Sequence, residues 1–362
     1  MRYKSCHLLE HGISIEDDSI RVCCILREAY KGKPFIKEFG NEDIDWAEIF
    51  RIKRIHRLKQ KNGGFSECEG CSLLREEDWD DEDFISYINF DHWRYCNSNC
   101  IYCGVHDNKN KTRKKVIDSI ENLIKIGKFR NYGKITFQGG EPTLLPEFES
   151  LLYMFVDNSY IIRVHSSGIL YSSAIKECLK KKSVIIVISP DAGSAKTYKT
   201  IKRVNKFDKV WSNIRKYRDG LNDEQVHYLK VKYIIVPGIN DNLKEVNLFF
   251  DKINKYGIKN LIIDIEADYA NLNNYNISSH IYMLIDYMVY LSNLNGIQFE
   301  LYDTAQNSNN YRNVSNTVFD DMVLFKKEFE KIKKQDKTKK MPYVKSLRGK
   351  LFQIFSNNGL KG

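Results

Sequence analysis

A chain of 362 residues with 42% hydrophobic and 12% aromatic residues can bury a large core, as one α/β domain or as a domain with a smaller module. Its longest purely apolar run, Val-Ile-Ile-Val-Ile at 184–188, is too short to span a bilayer, and the opening Met-Arg-Tyr-Lys-Ser-Cys-His has no apolar signal region, so a cytoplasmic protein without a membrane partner is expected. The net charge of +10 does not argue for nucleic acid: eight lysines fall in residues 326–340, which read as a solvated helix and flexible tail and not as a basic stripe on a folded face.

Residues 1–84 show no regular alternation of elements but hold five of the nine cysteines, Cys6, Cys23, Cys24, Cys68 and Cys71. In a reducing compartment, grouped cysteines point to metal, cluster or redox roles before disulfides. Cys68 and Cys71 form a CxxC-type pair, and Cys6 and Cys23 bracket a hairpin-like stretch with a glycine turn. Four thiolates on two such pieces can build a closed tetrahedral site, for zinc or for a fully ligated [4Fe–4S] cluster, with Cys23 favoured over adjacent Cys24. The acidic run Arg-Glu-Glu-Asp-Trp-Asp-Asp-Glu-Asp-Phe at 75–84 is read as the end of this module.

From residue 85 the pattern changes. Short β-branched runs at 84–91, 134–138, 160–167, 183–189, 229–236, 261–267 and 297–303 read as strands, and amphipathic segments such as 113–127 and 242–257 read as helices between them. This alternation predicts right-handed βαβ crossovers and a parallel sheet, an α/β fold in the form of a partial (β/α)6 barrel with its chemistry at the C-terminal ends of the strands. The expected organisation is a cysteine-rich module over 1–84, the barrel over 85–305 and a basic helix and tail over 306–362.

The first predicted strand runs directly into Tyr-Cys-Asn-Ser-Asn-Cys-Ile-Tyr-Cys-Gly at 95–104, which puts Cys96, Cys100 and Cys103 into eight positions. Structural zinc prefers four ligands and would need a distant fourth here, whereas three thiolates on a cubic cluster leave one iron open to a small molecule. The second predicted strand ends in Phe-Gln-Gly-Gly-Glu-Pro at 137–142, where paired glycines let a ligand approach the backbone. On the sixth, Asp264 and Glu266 lie two residues apart and share a face; they can serve as a base in the barrel, or pair with Lys230 or Lys232 on the fifth strand. His165 is the next candidate base, and Cys178 reads as a buried helix cysteine.

The CxxxCxxC after the first strand and the Gly-Gly-Glu-Pro after the second resemble those of the radical S-adenosylmethionine (SAM) enzymes. The resemblance implies that Cys96, Cys100 and Cys103 hold a [4Fe–4S] cluster whose open iron is chelated by SAM, and that an electron from the cluster cleaves SAM to a 5′-deoxyadenosyl radical that takes hydrogen from the substrate. It implies Tyr102 beside the adenine, and Gly139, Gly140 and Glu141 at the methionine amino group. In Ile-Ser-Pro-Asp-Ala-Gly at 188–193 it implies Ser189 at the SAM carboxylate and Asp191 near the ribose, with Lys202 in the place of a basic residue that pairs with that carboxylate. The N-terminal cysteines resemble the SPASM and twitch auxiliary modules, which implies a second [4Fe–4S] cluster on Cys6, Cys23, Cys68 and Cys71, although in those families the module usually follows the barrel. The expected activity is hydrogen abstraction from a peptide, sugar or other small metabolite, with oxidation through the auxiliary cluster, Asp264 or Glu266 as base, and an external donor such as flavodoxin or ferredoxin. Two alternatives stay open: an RNA-modifying radical SAM enzyme and a zinc-stabilised scaffold without activity.

Overall fold

Strand β1 (Arg2–Ser5) and helix α1 (His7–His11) open the chain, followed by β2 (Gly12–Ile15), β3 (Ser19–Arg21), β4 (Ile36–Glu38), α2 (Trp46–Lys61) and β5 (Arg75–Asp78). The alternating part then runs β6 (Ile85–Phe90), α3 (Lys114–Lys125), β7 (Phe129–Phe137), α4 (Phe148–Asp157), β8 (Ile161–Ser166), α5 (Ser173–Lys180) and β9 (Val184–Ile188). It continues through α6 (Ala195–Lys202), α7 (Phe207–Arg218), β10 (Leu229–Ile235), α8 (Leu243–Lys255), β11 (Asn260–Ile265), α9 (Ser279–Leu294) and β12 (Gln298–Leu301). The computed structural model describes residues 2–16, 19–22, 36–38, 43–63, 68, 74–91, 93–103, 114–266 and 278–301. All of these fall in one compact unit spanning Met1–Tyr311. Cys23, Cys24, Cys71 and the basic tail lie outside the described residues.

Strands β6 to β12 pair in sequence order, each parallel to the next, as the alternation predicts. Side chains alternate between two faces of this sheet. On one face Phe90 and Phe137 stack on each other and both meet Phe155 of α4, while Tyr233 meets Phe249 of α8. Burying aromatic and branched side chains at such positions is worth roughly 1.5–3 kcal/mol each, which holds the helices to the sheet. The opposite face carries Asn89, Thr136, Arg163, His165, Lys230, Lys232 and Asp264, a polar set that a sheet packed on both sides would not tolerate. Helix starts are set locally: Asp45, Ser172, Ser194 and Asn242 each accept the amide hydrogen three residues on.

The sheet does not end at residue 84, where the sequence places a module boundary. β2 pairs in parallel with β6, from Gly12 opposite Tyr87 to Ile15 opposite Phe90, and β3 and β4 extend the same sheet. Ile13 and Ile15 of β2 are 1% and 0% exposed, so this short strand is buried core of the main sheet. Helix α2 is tied in as well: the Trp46 indole donates to the Ser119 carbonyl at 2.9 Å and the Ile44 amide to the Ser119 hydroxyl at 3.0 Å. The expected hairpin between Cys6 and Cys23 is present as β2–β3, but it serves as the continuation of the barrel wall. Among the described residues, no helix is long and apolar enough to cross a membrane.

Candidate active site

The loop after β6 lies across the turn after β7. Glu141 donates its amide to the Tyr95 carbonyl at 2.9 Å, and the Gly140 amide donates to the Trp93 carbonyl at 2.5 Å. A methyl group on Gly140 would overlap the carbonyl oxygen of Tyr95, and one on Gly139 would overlap the carboxylate of Asp91. Gly139 also has φ +93, a conformation closed to most side chains. The paired glycines are therefore required by the packing of the cysteine loop itself, before any ligand is considered. The three thiols are half-buried, and the Ser98 hydroxyl sits between two of them, 3.4 Å from Cys96 Sγ and 3.6 Å from Cys100 Sγ. Burial pushes the Cys96 thiol above its ordinary pKa, and an electropositive ion or cluster would reverse that shift.

Glu141 is 1% exposed and its carboxylate is fully engaged. Oε1 accepts from the Thr143 amide at 3.2 Å, the Thr143 hydroxyl at 2.7 Å and the Ser166 hydroxyl at 2.9 Å, and Oε2 accepts from the Ser167 amide at 2.7 Å. Four donors exhaust the lone pairs of a carboxylate. Its evident work is to bind the end of β7 to the end of β8, and Ser167 in turn donates to Asn97 Oδ1 in the cysteine loop at 2.9 Å.

A second cluster backs the loop from the other side. Tyr102 donates its hydroxyl to Asp191 Oδ2 at 2.5 Å, and the Lys202 ammonium bonds both that hydroxyl, at 2.5 Å, and Asp191. Asp191 has no exposed surface and stands at φ +53, a left-handed conformation that aspartate tolerates better than most residues. It is held there by the Ile234 amide on Oδ1 at 2.8 Å and by Asn240, whose amide donates to the Asp191 carbonyl at 2.8 Å. Burial is the largest single influence on Lys202 and favours loss of its proton, but the Asp191 charge, Cys100 and the hydrogen bond to Asp191 together outweigh it and hold the ammonium above its usual pKa. Burial, then the Asp191 charge, raises the Tyr102 phenol likewise. The loop backbone joins this hub through the Asn99 and Ile101 amides, which donate to the Lys202 and Ile201 carbonyls at 3.1 and 2.9 Å. Ser189 stands beside it at the C-terminal end of β9.

On the polar face of the sheet, Asp264 accepts from Lys232 at 2.7 Å, and Lys230 pairs with Glu300. The pairing of the sixth-strand acid with a fifth-strand lysine is thus present for Asp264. Glu266 lies one residue beyond β11, its amide bonded to the Ile235 carbonyl at 2.9 Å. Burial, with Lys232 and Arg163 nearby, pulls His165 down to about 3, so its ring is neutral and can accept a proton only weakly. Cys178 is fully buried on α5, as its helical setting predicts.

Four donors around the cysteine loop are buried with no partner: Trp93 Nε1, Arg94 Nε, Asn97 Nδ2 and the Tyr198 hydroxyl. Unpaired buried donors are rare, and each calls for an acceptor. Half-buried thiols beside donors short of acceptors fit a sulfide-rich cluster with an anionic ligand, although the three thiols do not themselves converge in this structure. Tyr198, Asn97 and Asn240 were not legible as site residues. Tyr198 reads as a core aromatic at helical spacing, and Asn240 reads as part of the Pro237–Gly238 turn.

Residues 90–253 match the model of the Radical SAM superfamily. The chain carries a Radical SAM superfamily domain. Members of that superfamily are enzymes that use a [4Fe–4S] cluster and SAM. Curated relatives include GTP 3′,8-cyclase of Clostridium botulinum, 27% identical over 187 residues covering 50% of this chain and 56% of the relative, and GTP 3′,8-cyclase of Desulforamulus reducens, 26% identical over 163 residues covering 44% and 49%. The chain thus spans about half the length of the curated relatives it matches. Streptococcus suis SuiB, solved bound to S-adenosylmethionine, shares the fold with a TM-score of 0.50 and 15% identity over 71% of this chain and 56% of that one.

The N-terminal cysteines stand elsewhere. Cys6 precedes the N-terminal end of β2, while Cys96 follows the C-terminal end of the parallel neighbour β6. Cys6 and Cys68, 62 positions apart, share one buried cluster with Leu9 and Val22, packed on by Leu8, Ile52 and Leu74. Cys6 Sγ accepts the Leu9 amide hydrogen at 3.3 Å, capping α1. Among the described residues no three metal-binding side chains converge, and the other expected ligands, Cys23 and Cys71, are outside them.

Proposed function

We propose that this chain is a radical SAM enzyme that abstracts hydrogen from a peptide, sugar or other small metabolite. The observation that carries the reading is the closure of the three-cysteine loop on Gly139 and Gly140, with unpartnered buried donors around it. Bound there, a reduced [4Fe–4S] cluster would supply the electron that cleaves SAM. Cys96, Cys100 and Cys103 would hold it, and the backbone of Gly139 and Gly140 would meet the amino end of SAM. Glu141 would act from behind, by fixing the loop that presents those glycines. Lys202 has three N–H donors and uses two on Asp191 and Tyr102, which leaves one for the SAM carboxylate beside Ser189. Asp191 would serve the ribose end through the loop it anchors, and the Tyr102 ring would flank the adenine.

For the step after abstraction, Asp264 or Glu266 would serve as base; Asp264 is paired with Lys232. An auxiliary [4Fe–4S] cluster on Cys6, Cys23, Cys68 and Cys71 gains support from the meeting of Cys6 with Cys68. Its place at the N-terminal end of β2 favours electron relay or support of the fold over direct contact with substrate. A flavodoxin or ferredoxin would be the reductant. A purine nucleotide is a second substrate reading, favoured by the name of the curated relatives. Deuterium transfer from labelled candidates into 5′-deoxyadenosine by the anaerobically reconstituted protein tests the reading. Transfer from a peptide, sugar or nucleotide names the substrate class, and failure of the protein to take up iron and sulfide would defeat the assignment.

A further inference from the structure

Tyr198 is one of the four buried donors of this site left without an acceptor. It is 1% exposed, its ring packs edge-on against Phe207 at 5.7 Å between centroids, and its hydroxyl has no hydrogen-bond partner. It lies one turn before Lys202 on α6, so the two side chains share the helix face that receives the cysteine loop through the Asn99 and Ile101 amides. The ionisable groups that act on its phenol are Lys202, Cys100, Asp191 and Cys96, two of them from the cysteine triplet. Lys202 and Asp191 are already bonded to each other and to Tyr102. What remains within that set for the Tyr198 proton is sulfur.

We propose that Tyr198 donates its hydroxyl hydrogen to a sulfur of the cluster held by Cys96, Cys100 and Cys103, and so sets the cluster's reduction potential. Hydrogen bonds to cluster or cysteine sulfur stabilise the more negative, reduced state and raise the potential, and they act strongly in a buried site. Tyr198 is a positioning and tuning residue in this account, not a catalytic one. The inference rests on the radical SAM reading of the triplet.

The test is a redox titration of anaerobically reconstituted wild-type protein and Tyr198→Phe, followed by electron paramagnetic resonance without SAM. Tyr198→Phe removes one oxygen and is expected to keep the wild-type iron content. Its potential should move to more negative values, and at a fixed potential the reduced-to-oxidised ratio should fall about five- to tenfold, the effect of one lost hydrogen bond. Electron–nuclear double resonance of the reduced cluster after exchange into D2O should show a coupled exchangeable proton that the variant lacks. An unchanged potential with an unchanged proton coupling overturns the proposal while leaving the radical SAM reading intact. A shift seen only with SAM bound also overturns it, and moves the hydroxyl's partner to SAM. Should Tyr198→Phe lose its cluster, Tyr198→Trp, with its own N–H donor, is expected to restore cluster binding and the coupled proton, and failure to do so counts against the proposal. If the wild type itself takes no cluster, the underlying reading fails first.

Discussion

The two ends of the sheet treat their cysteines differently. Beyond the C-terminal end of β6, Cys96, Cys100 and Cys103 are half-buried, with Ser98 between the first two, and backed by an ion pair, a phenol and unpartnered donors. At the N-terminal end of β2, Cys6 and Cys68 lie in an apolar cluster with Leu9 and Val22. A thiol is made reactive by nearby positive charge and access, and kept quiet by apolar burial. The same residue type thus stands in a polar, donor-rich setting at one end of the sheet and in an apolar one at the other.

Removing the first set entirely is the largest change. A Cys96/Cys100/Cys103 triple alanine variant should lose SAM cleavage yet keep one cluster at the other end, about four irons per chain in place of about eight. Iron and sulfide analysis decides it. Zinc alone at the N-terminal end would make that region a structural staple, and no metal would leave one cluster in the molecule.

Asp191→Asn attacks the hub behind the loop. It leaves the Lys202 ammonium buried without its counter-ion, which should cost about 3–5 kcal/mol of stability. Urea unfolding should show the loss. A stability equal to wild type would mean that the pair contributes nothing to the rim.

At the other end, His11 gives the comparison a pH axis. Its ring is 4% exposed, stacks on Phe84 at 3.9 Å between centroids, and burial pulls its pKa from 6.5 to about 4. The folded state then binds fewer protons than the unfolded chain between those values. Its contribution is complete above pH 6.5 and is lost as pH falls towards 4, by on the order of 2–3 kcal/mol. Neighbouring Glu10, raised by burial, works in the opposite sense, so the difference between wild type and His11→Gln isolates the histidine. Parallel stability curves for the two proteins from pH 7 to 4 would contradict this.

The smallest effect is expected for Tyr102→Phe, which removes one hydroxyl from the hub while Lys202 keeps Asp191. About 1–2 kcal/mol of stability should go, with SAM cleavage weakened but present. Complete loss of cleavage would show that the hydroxyl does more than hold the loop.

Much of the barrel was legible because its physics is local. The β-branched runs that became β6 to β12 carry their own period, and the cysteine triplet and paired glycines sit where those runs stop. The join of β2 to β6 was not legible: a four-residue strand has no pattern that names a partner some seventy residues on. Nor could the sequence decide between a base and an ion pair for Asp264, since the register that brings Lys232 to it is a property of the sheet. Tyr198 escaped because its ring does belong to the core, and only its hydroxyl, left without a partner, marks the site.

The most direct test of the central claim compares wild type with Cys100→Ala after anaerobic reconstitution, with dithionite and SAM, by quantifying 5′-deoxyadenosine. The account predicts formation by the wild type and none above background by the variant. Equal formation by both would mean that the loop closing on Gly139 and Gly140 is not where SAM is cleaved.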